Sequence, residues 1–114
     1  MNPQGAAAED RALQFLQQRG LTLRQRNYRS RFGEIDLIMQ DGATLVFIEV
    51  KARTGKGFGG SAAAITGSKI QRLTATAQQY LAGLPATPPC RFDAILLQGN
   101  DPPQIEWLQN IIQA

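Results

Sequence analysis

Glu34, Asp36, Glu49 and Lys51 are threaded through "GEIDLIMQDGATLVFIEVKAR", residues 33–53, at positions where a packed sheet would take Val or Ile. Two short apolar runs flank a turn signal at Asp41-Gly42, so the stretch reads as a β-hairpin. Side chains alternate across a strand, which predicts Glu34, Asp36 and Ile38 on one face and Ile35, Leu37 and Met39 on the other. On the second strand Phe47, Glu49 and Lys51 share a face, opposite Val46, Ile48 and Val50. Loop length decides the register. A two-residue loop at Asp41-Gly42 sets Glu34 opposite Glu49, whereas a four-residue loop from Asp41 to Thr44 sets Asp36 opposite Glu49. Either even length gathers the carboxylates on one face. Carboxylates so gathered repel unless protonated, paired with cations or bound to metal. With no histidine and one cysteine in the chain, an all-oxygen ligand set favours Mg²⁺ or Mn²⁺. Lys51 could then orient or deprotonate a water, or stabilise charge on a phosphate. These are the parts that phosphodiester hydrolysis needs. The bland alternative, Glu–Lys ion pairs on a solvated sheet face, fits poorly with strand positions bracketed by Val46, Ile48 and Val50.

The elements that must position these residues can be read in outline. Gly5 to Gly20 has apolar residues near the helical period (Ala8, Ala12, Leu13, Phe15, Leu16), and Gly20 suits the position just past a helix end. Glu9 falls on or beside that buried stripe. Either its head reaches water or pairs with Arg11 or a sheet arginine, or it belongs to a site. Leu21 to Tyr28, Gly33 to Met39, Leu45 to Arg53, Arg91 to Leu97 and Gln104 to Leu108 read as strands. Ser61 to Ile65 could be a short extended piece. Ser68 to Leu84 reads as a second helix, capped by Ser68 or Thr66, with Ile70, Leu73, Ala77, Tyr80, Leu81 and Leu84 on one face. The order predicts one domain over residues 1–114, an α/β sandwich with a central mixed sheet flanked by helices.

Composition narrows the function further. The chain has 114 residues, 43% hydrophobic and 18% charged, as expected of a folded domain. Without histidine, HNH, Ser-His-Asp and Cys-His mechanisms and His-ligated zinc are excluded. The lone Cys90 points to a reducing cytoplasm and is expected to be a small buried residue. The longest strictly aliphatic or aromatic run, Leu45 to Ile48, is far short of a membrane span, and no basic-then-apolar leader is visible. Charge is segregated: six arginines and no acid from Arg11 to Arg31, four acids and no base from Glu34 to Glu49, then six bases and no acid from Lys51 to Arg91. An acidic segment between two basic ones is what a polyanion gripped around a cation site would require. Arg29, Arg31, Arg53, Lys56, Lys69 and Arg72 are the candidate nucleic-acid contacts, with solvated surface as the alternative for Lys69 and Arg72. DNA is the expected partner, and RNA is not excluded because no base-reading motif is present.

Gly55, Gly57 and Gly60 match G-x-G-x-x-G after a strand, but no acid follows between Glu49 and Asp93 to hold a ribose. The loop is read as a flap with Lys56 and Phe58 as phosphate and base contacts, or as an ordinary linker. Trp107, Leu108, Ile111 and Ile112 are expected to close the core, although an exposed apolar tail could pair two protomers as a homodimer.

Asp36, twelve intervening residues and then "EVK" at Glu49 to Lys51, preceded by the helical Glu9, resembles the PD-(D/E)XK nuclease superfamily, and in arrangement the archaeal Holliday-junction resolvases. Over nearly the whole chain, "GEIDLI", "VFIEVKAR", "ITGSKIQRL" and "RFDAI" resemble the bacterial YraN-type family of predicted endonucleases. The resemblance implies a restriction endonuclease-like fold and, as a reaction class, endonuclease cleavage; DNA is the expected substrate, with branched or recombination and repair intermediates among the forms to test. It implies metal ligation by Asp36, Glu49 and the Val50 backbone carbonyl, an auxiliary acid in Glu9 and a water-assisting Lys51. Glu34 is left as a supporting residue or an alternative ligand. Ile35 stands where the superfamily name has proline, and Trp107 where a polar residue is expected. The competing reading is a nucleic-acid-binding or scaffold protein that keeps the fold without turnover.

Overall fold

The computed structural model describes residues 3–53, 66–99 and 102–112. The expected flap, with Lys56 and Phe58, and the extended piece from Ser61 to Ile65 lie outside them. Helix α1 (Pro3–Gln18) begins two residues earlier than the periodicity suggested. It ends where expected: Leu21 N–H bonds to Leu16 C=O and Gly20 N–H to Gln17 C=O. Gly20, at φ +95°, takes the left-handed conformation that this double closure requires. Leu16 and Leu21, both buried, pack in the same cluster and complete the motif.

Five strands follow in the spatial order of the sequence: β1 (Thr22–Ser30), β2 (Gly33–Asp41), β3 (Thr44–Arg53), β4 (Cys90–Gln98) and β5 (Gln104–Leu108). All neighbours are antiparallel except β3 and β4, whose parallel pairing needs a crossover. Helix α2 (Gly67–Ala82) lies in that connection, capped by Thr66, whose Oγ1 accepts from Lys69 N–H at 3.2 Å. The sheet is therefore mixed, with a helix on each face, compatible with a restriction endonuclease-like fold.

Each face has its own core. Ala8, Ala12 and Leu16 of α1 pack on Leu37, Met39, Val46, Ile48, Ile95 and Leu97. Leu73 and Ala77 of α2 pack on Ile35, Ile38, Leu45 and Phe47. Strand β3 alternates as predicted, but β2 does not. Ile35 and Ile38 serve the α2 core while Leu37 and Met39 serve the α1 core, so the strand reverses its facing at Asp36. The same reversal occurs on β1: Arg26 reaches Glu9 and Asp10 of α1, whereas Tyr28 joins the α2 core. Between them Asn27 sits at φ +53°, a left-handed conformation that asparagine tolerates better than most residues. Strict alternation, the basis for grouping Glu34, Asp36 and Ile38, fails for this local reason.

The hairpin turn also differs from expectation. Asp41 pairs with Thr44, leaving Gly42-Ala43 as the loop, and Gly42 at φ +60° fits the first central position of a type II′ turn. Cys90, expected inside, is exposed at the start of β4. Trp107 does help to close the α1 core, edge-on to Phe15 with centroids 6.3 Å apart. Asp93, fully buried, accepts from Arg91 Nε, Trp107 Nε1 at 3.0 Å and Asn110 N–H at 2.9 Å. Arg91 in turn reaches Asp41 at 3.0 Å, tying the hairpin end to β4.

Candidate active site

Asp36 sits where the β2–β3 ladder stops. The last paired position is Leu37 with Ile48. In that register Asp36 is the next residue opposite Glu49, the longer-loop alternative. Beyond the ladder the side chain of Asp36 replaces backbone: its Oδ2 accepts from Val50 N–H at 2.8 Å. Because β2 reverses its facing here, the carboxylates do not share one face as predicted. They converge from both faces at one end of the sheet, Glu9 from α1, Glu49 from the α2 side of β3, and Asp36 between them.

Glu9 is buried and held by Arg26 Nη2 at 3.4 Å, the sheet arginine of the earlier alternative. Oxygens of Glu9, Glu34 and Asp36 lie within 4.8 Å of one another. Glu34 also faces Arg29 Nε at 3.6 Å, so that arginine is partly engaged by the site's own acid. Glu49, 5% exposed, pairs with the Lys69 ammonium at 2.9 Å. Lys69, a candidate nucleic-acid contact near the site with solvated surface as its alternative, reaches Glu49 from the first turn of α2, and its place near a helix start is the one signal of that in the sequence. Lys51 is half-buried and lies near Lys69 and Glu49. Arg72 and Gly33 line the cleft on the α2 side with Glu34, Asp36, Glu49 and Lys69. Val50 lines the cleft on the α1 side with Glu9, Asp36, Glu49 and Lys69. Arg53 is exposed on the end of β3. Arg31 stacks on the exposed Phe32, 4.9 Å from its ring centre, at the tip of the β1–β2 hairpin. That aromatic was not singled out in the sequence.

The clefts, of about 250 and 350 Å³, admit solvent and ions to the carboxylates, since one water occupies only ~30 Å³ of liquid. Burial, then the neighbouring Glu49, pushes the Asp36 carboxyl up to about 8, against the pull of Val50 N–H. Burial and then repulsion from Lys69 hold the Lys51 ammonium below its ordinary range. Burial opposes the charge on Lys69 too, but Glu49 outweighs it and holds that ammonium above the ordinary range. Burial disfavours the charged form of Asp36 until a cation stands beside it, and the gathered donors are all hard oxygens. Both properties fit Mg²⁺ or Mn²⁺.

A pH dependence follows. Because the folded Asp36 binds its proton more tightly than the unfolded reference at 3.8, its contribution to stability is complete below that value. It is lost as pH rises toward and through about 8. With chelator present, the melting temperature should therefore fall between pH 5 and 9, and Asp36→Asn should flatten that decline, gaining on the order of 2 kcal/mol at the alkaline end. Equal slopes for the two proteins in a thermal melt series would contradict the assigned cause.

Residues 8–97 match the family model described as "Uncharacterised protein family UPF0102". The chain is 58% identical over 106 residues to a UPF0102 protein of Nitrosomonas eutropha, an alignment covering 93% of this chain and 90% of the relative. It is 55% identical over 108 residues to a UPF0102 protein of Cupriavidus metallidurans, covering 94% and 78%. It is 52% identical over 110 residues to one of a Janthinobacterium species, covering 96% and 87%.

Proposed function

The chain belongs to the UPF0102 family, the YraN-type family that its motifs resemble, and from that premise we propose that it is a divalent-metal-dependent nuclease cleaving phosphodiester bonds in DNA. The observation that supports this most is the convergence of Glu9, Asp36 and Glu49 from three elements onto one point, with Lys51 and Lys69 beside them. A purely structural ion-pair network has no need to bury an acid beside another acid, where desolvation and then Glu49 push the Asp36 carboxyl up.

In this reading Asp36 and Glu49 hold Mg²⁺ or Mn²⁺, with the Val50 carbonyl and Glu9 completing the set and Glu34 in support. The bound ion would polarise the phosphoryl oxygen and acidify a water. The protein's own groups do the rest. Lys51, whose ammonium burial and Lys69 hold below its ordinary range, orients the attacking water and stabilises charge on the phosphate. Arg72 on the cleft wall, with Arg29, Arg31 and Arg53 around the sheet end, draws the sugar-phosphate backbone toward the site.

The test is a cleavage panel of branched, flapped, nicked, linear and single-stranded DNA, with RNA alongside, in Mg²⁺ and in Mn²⁺. Lys51→Ala should slow cleavage by about 10²- to 10³-fold while leaving DNA affinity within a few-fold. No cleavage of any substrate, together with salt-dependent DNA binding, would favour the non-catalytic alternative.

A further inference from the structure

We infer that Lys69 is a built-in competitor for the cation position at Glu49: its ammonium occupies that carboxylate in the metal-free protein and must be displaced before a divalent ion can bind there. The inference rests on the metal-centre reading above and concerns how the same site is controlled.

Lys69 Nζ lies 2.9 Å from Glu49 Oε2, an ion-pair distance without the alignment of a hydrogen bond, so that buried oxygen keeps no hydrogen-bond partner. A carboxylate as buried as Glu49 has to be neutralised or paired, and Lys69 supplies the charge without any ion. Among the described residues, the acids whose oxygens lie within 4.8 Å of one another are Glu9, Glu34 and Asp36, engaged by Arg26, Arg29 and Val50 N–H in turn. Glu49 is not among them. The two partners also differ in their freedom to leave. The Glu49 side chain is 6% exposed and sits on a central strand, whereas that of Lys69 is 32% exposed. Lys69 therefore has a route to water along a flexible stem. Its backbone stays fixed, because Lys69 N–H is the group that caps α2 through Thr66.

Displacement also has a spatial result. Lys69, Asp36 and Glu49 line both clefts, the one under α2 and the one beside α1. Withdrawing the lysine side chain removes one of the three residues the clefts share and opens space beside the two carboxylates that remain. The freed ammonium would then stand beside Lys51 and Arg72, where a phosphate entering that space meets positive charge.

The experiment is a calorimetric titration of the full chain with Mn²⁺ at neutral pH, comparing wild type with Lys69→Met, Arg72→Met and Glu49→Gln. If the competent state is a minor one, apparent affinity is reduced by its population, so Lys69→Met should bind Mn²⁺ about tenfold more tightly or better. Arg72→Met removes a charge from the same cleft without touching Glu49, and should change affinity by less than about threefold. A melt of the metal-free proteins gives a second reading: Lys69→Met should melt lower than wild type, and saturating Mn²⁺ should close that gap. An affinity for Lys69→Met that is unchanged, weaker or shifted no more than that of Arg72→Met overturns the inference. If Glu49→Gln abolishes binding in that case, the metal-centre reading survives alone. If neither wild type nor Lys69→Met binds Mn²⁺, the metal-centre reading falls and the inference falls with it.

Discussion

Asp93→Ala should cost about 3–5 kcal/mol of stability, read as a lowered urea midpoint with unchanged slope. Asp93 is fully buried on β4 and bonds to three donors from different parts of the chain: Arg91 Nε, Trp107 Nε1 and Asn110 N–H. Truncation leaves all three without their acceptor in a region closed to water, and each such loss costs about 1–3 kcal/mol. The guanidinium of Arg91 would keep only Asp41. Domains of this size are stable by about 5–15 kcal/mol, so the variant should lose a large share of its stability and melt well below wild type. Asp93→Asn keeps an acceptor and should fall between the two. A loss under about 1 kcal/mol for the alanine variant would mean that the tail and β5 dock by apolar contact alone. The groups Asp93 bonds, on Arg91, Trp107 and Asn110, are none of the proposed ligands, so Asp93→Asn should retain metal binding.

Glu49→Gln should abolish Mn²⁺ binding and lower cleavage by at least about a thousandfold, the equivalent of ~4 kcal/mol of transition-state stabilisation. The substitution is nearly isosteric, so the packing of β3 is preserved. It removes the charge that Lys69 pairs with at 2.9 Å, and the freed ammonium opposes any incoming cation. The measurements are a Mn²⁺ titration and single-turnover cleavage, with circular dichroism to establish that the variant folds. Cleavage within about tenfold of wild type, in a folded protein, would remove Glu49 from the proposed site.

Much of this was legible in the sequence, and the failures have physical causes. Apolar periodicity in Ala8, Ala12 and Leu16 and the glycine at position 20 gave α1 and its end, because both reflect local geometry. Strand β3 obeyed alternation, since it is covered on both faces along its apolar stretch. Strand β2 did not, because its reversal at Asp36 is shared with Asn27 of β1. Nothing in the text of either strand marks a position that only their pairing creates. The site's acids stood out because charge among aliphatic residues is conspicuous. Lys69 stood out as a nucleic-acid contact and not as a partner of Glu49, for nothing local shows that tertiary packing brings α2 over that acid. Cys90 went the other way: its type favours the interior, yet it opens a strand at the exposed end of the sheet.

The one parallel pairing in the sheet, β3 with β4, has a consequence for how the chain folds. The β1–β2–β3 meander is made of hairpins between sequence neighbours, whereas β4 can join only after the crossover through α2 has been closed. Local pairings form sooner than distant ones. Glu34, Asp36 and Glu49 all belong to the meander, and Lys69 belongs to the crossover. Local pairing favours gathering those acids ahead of the lysine that pairs with Glu49, so divalent ions should act on the folding rate as well as on the folded protein.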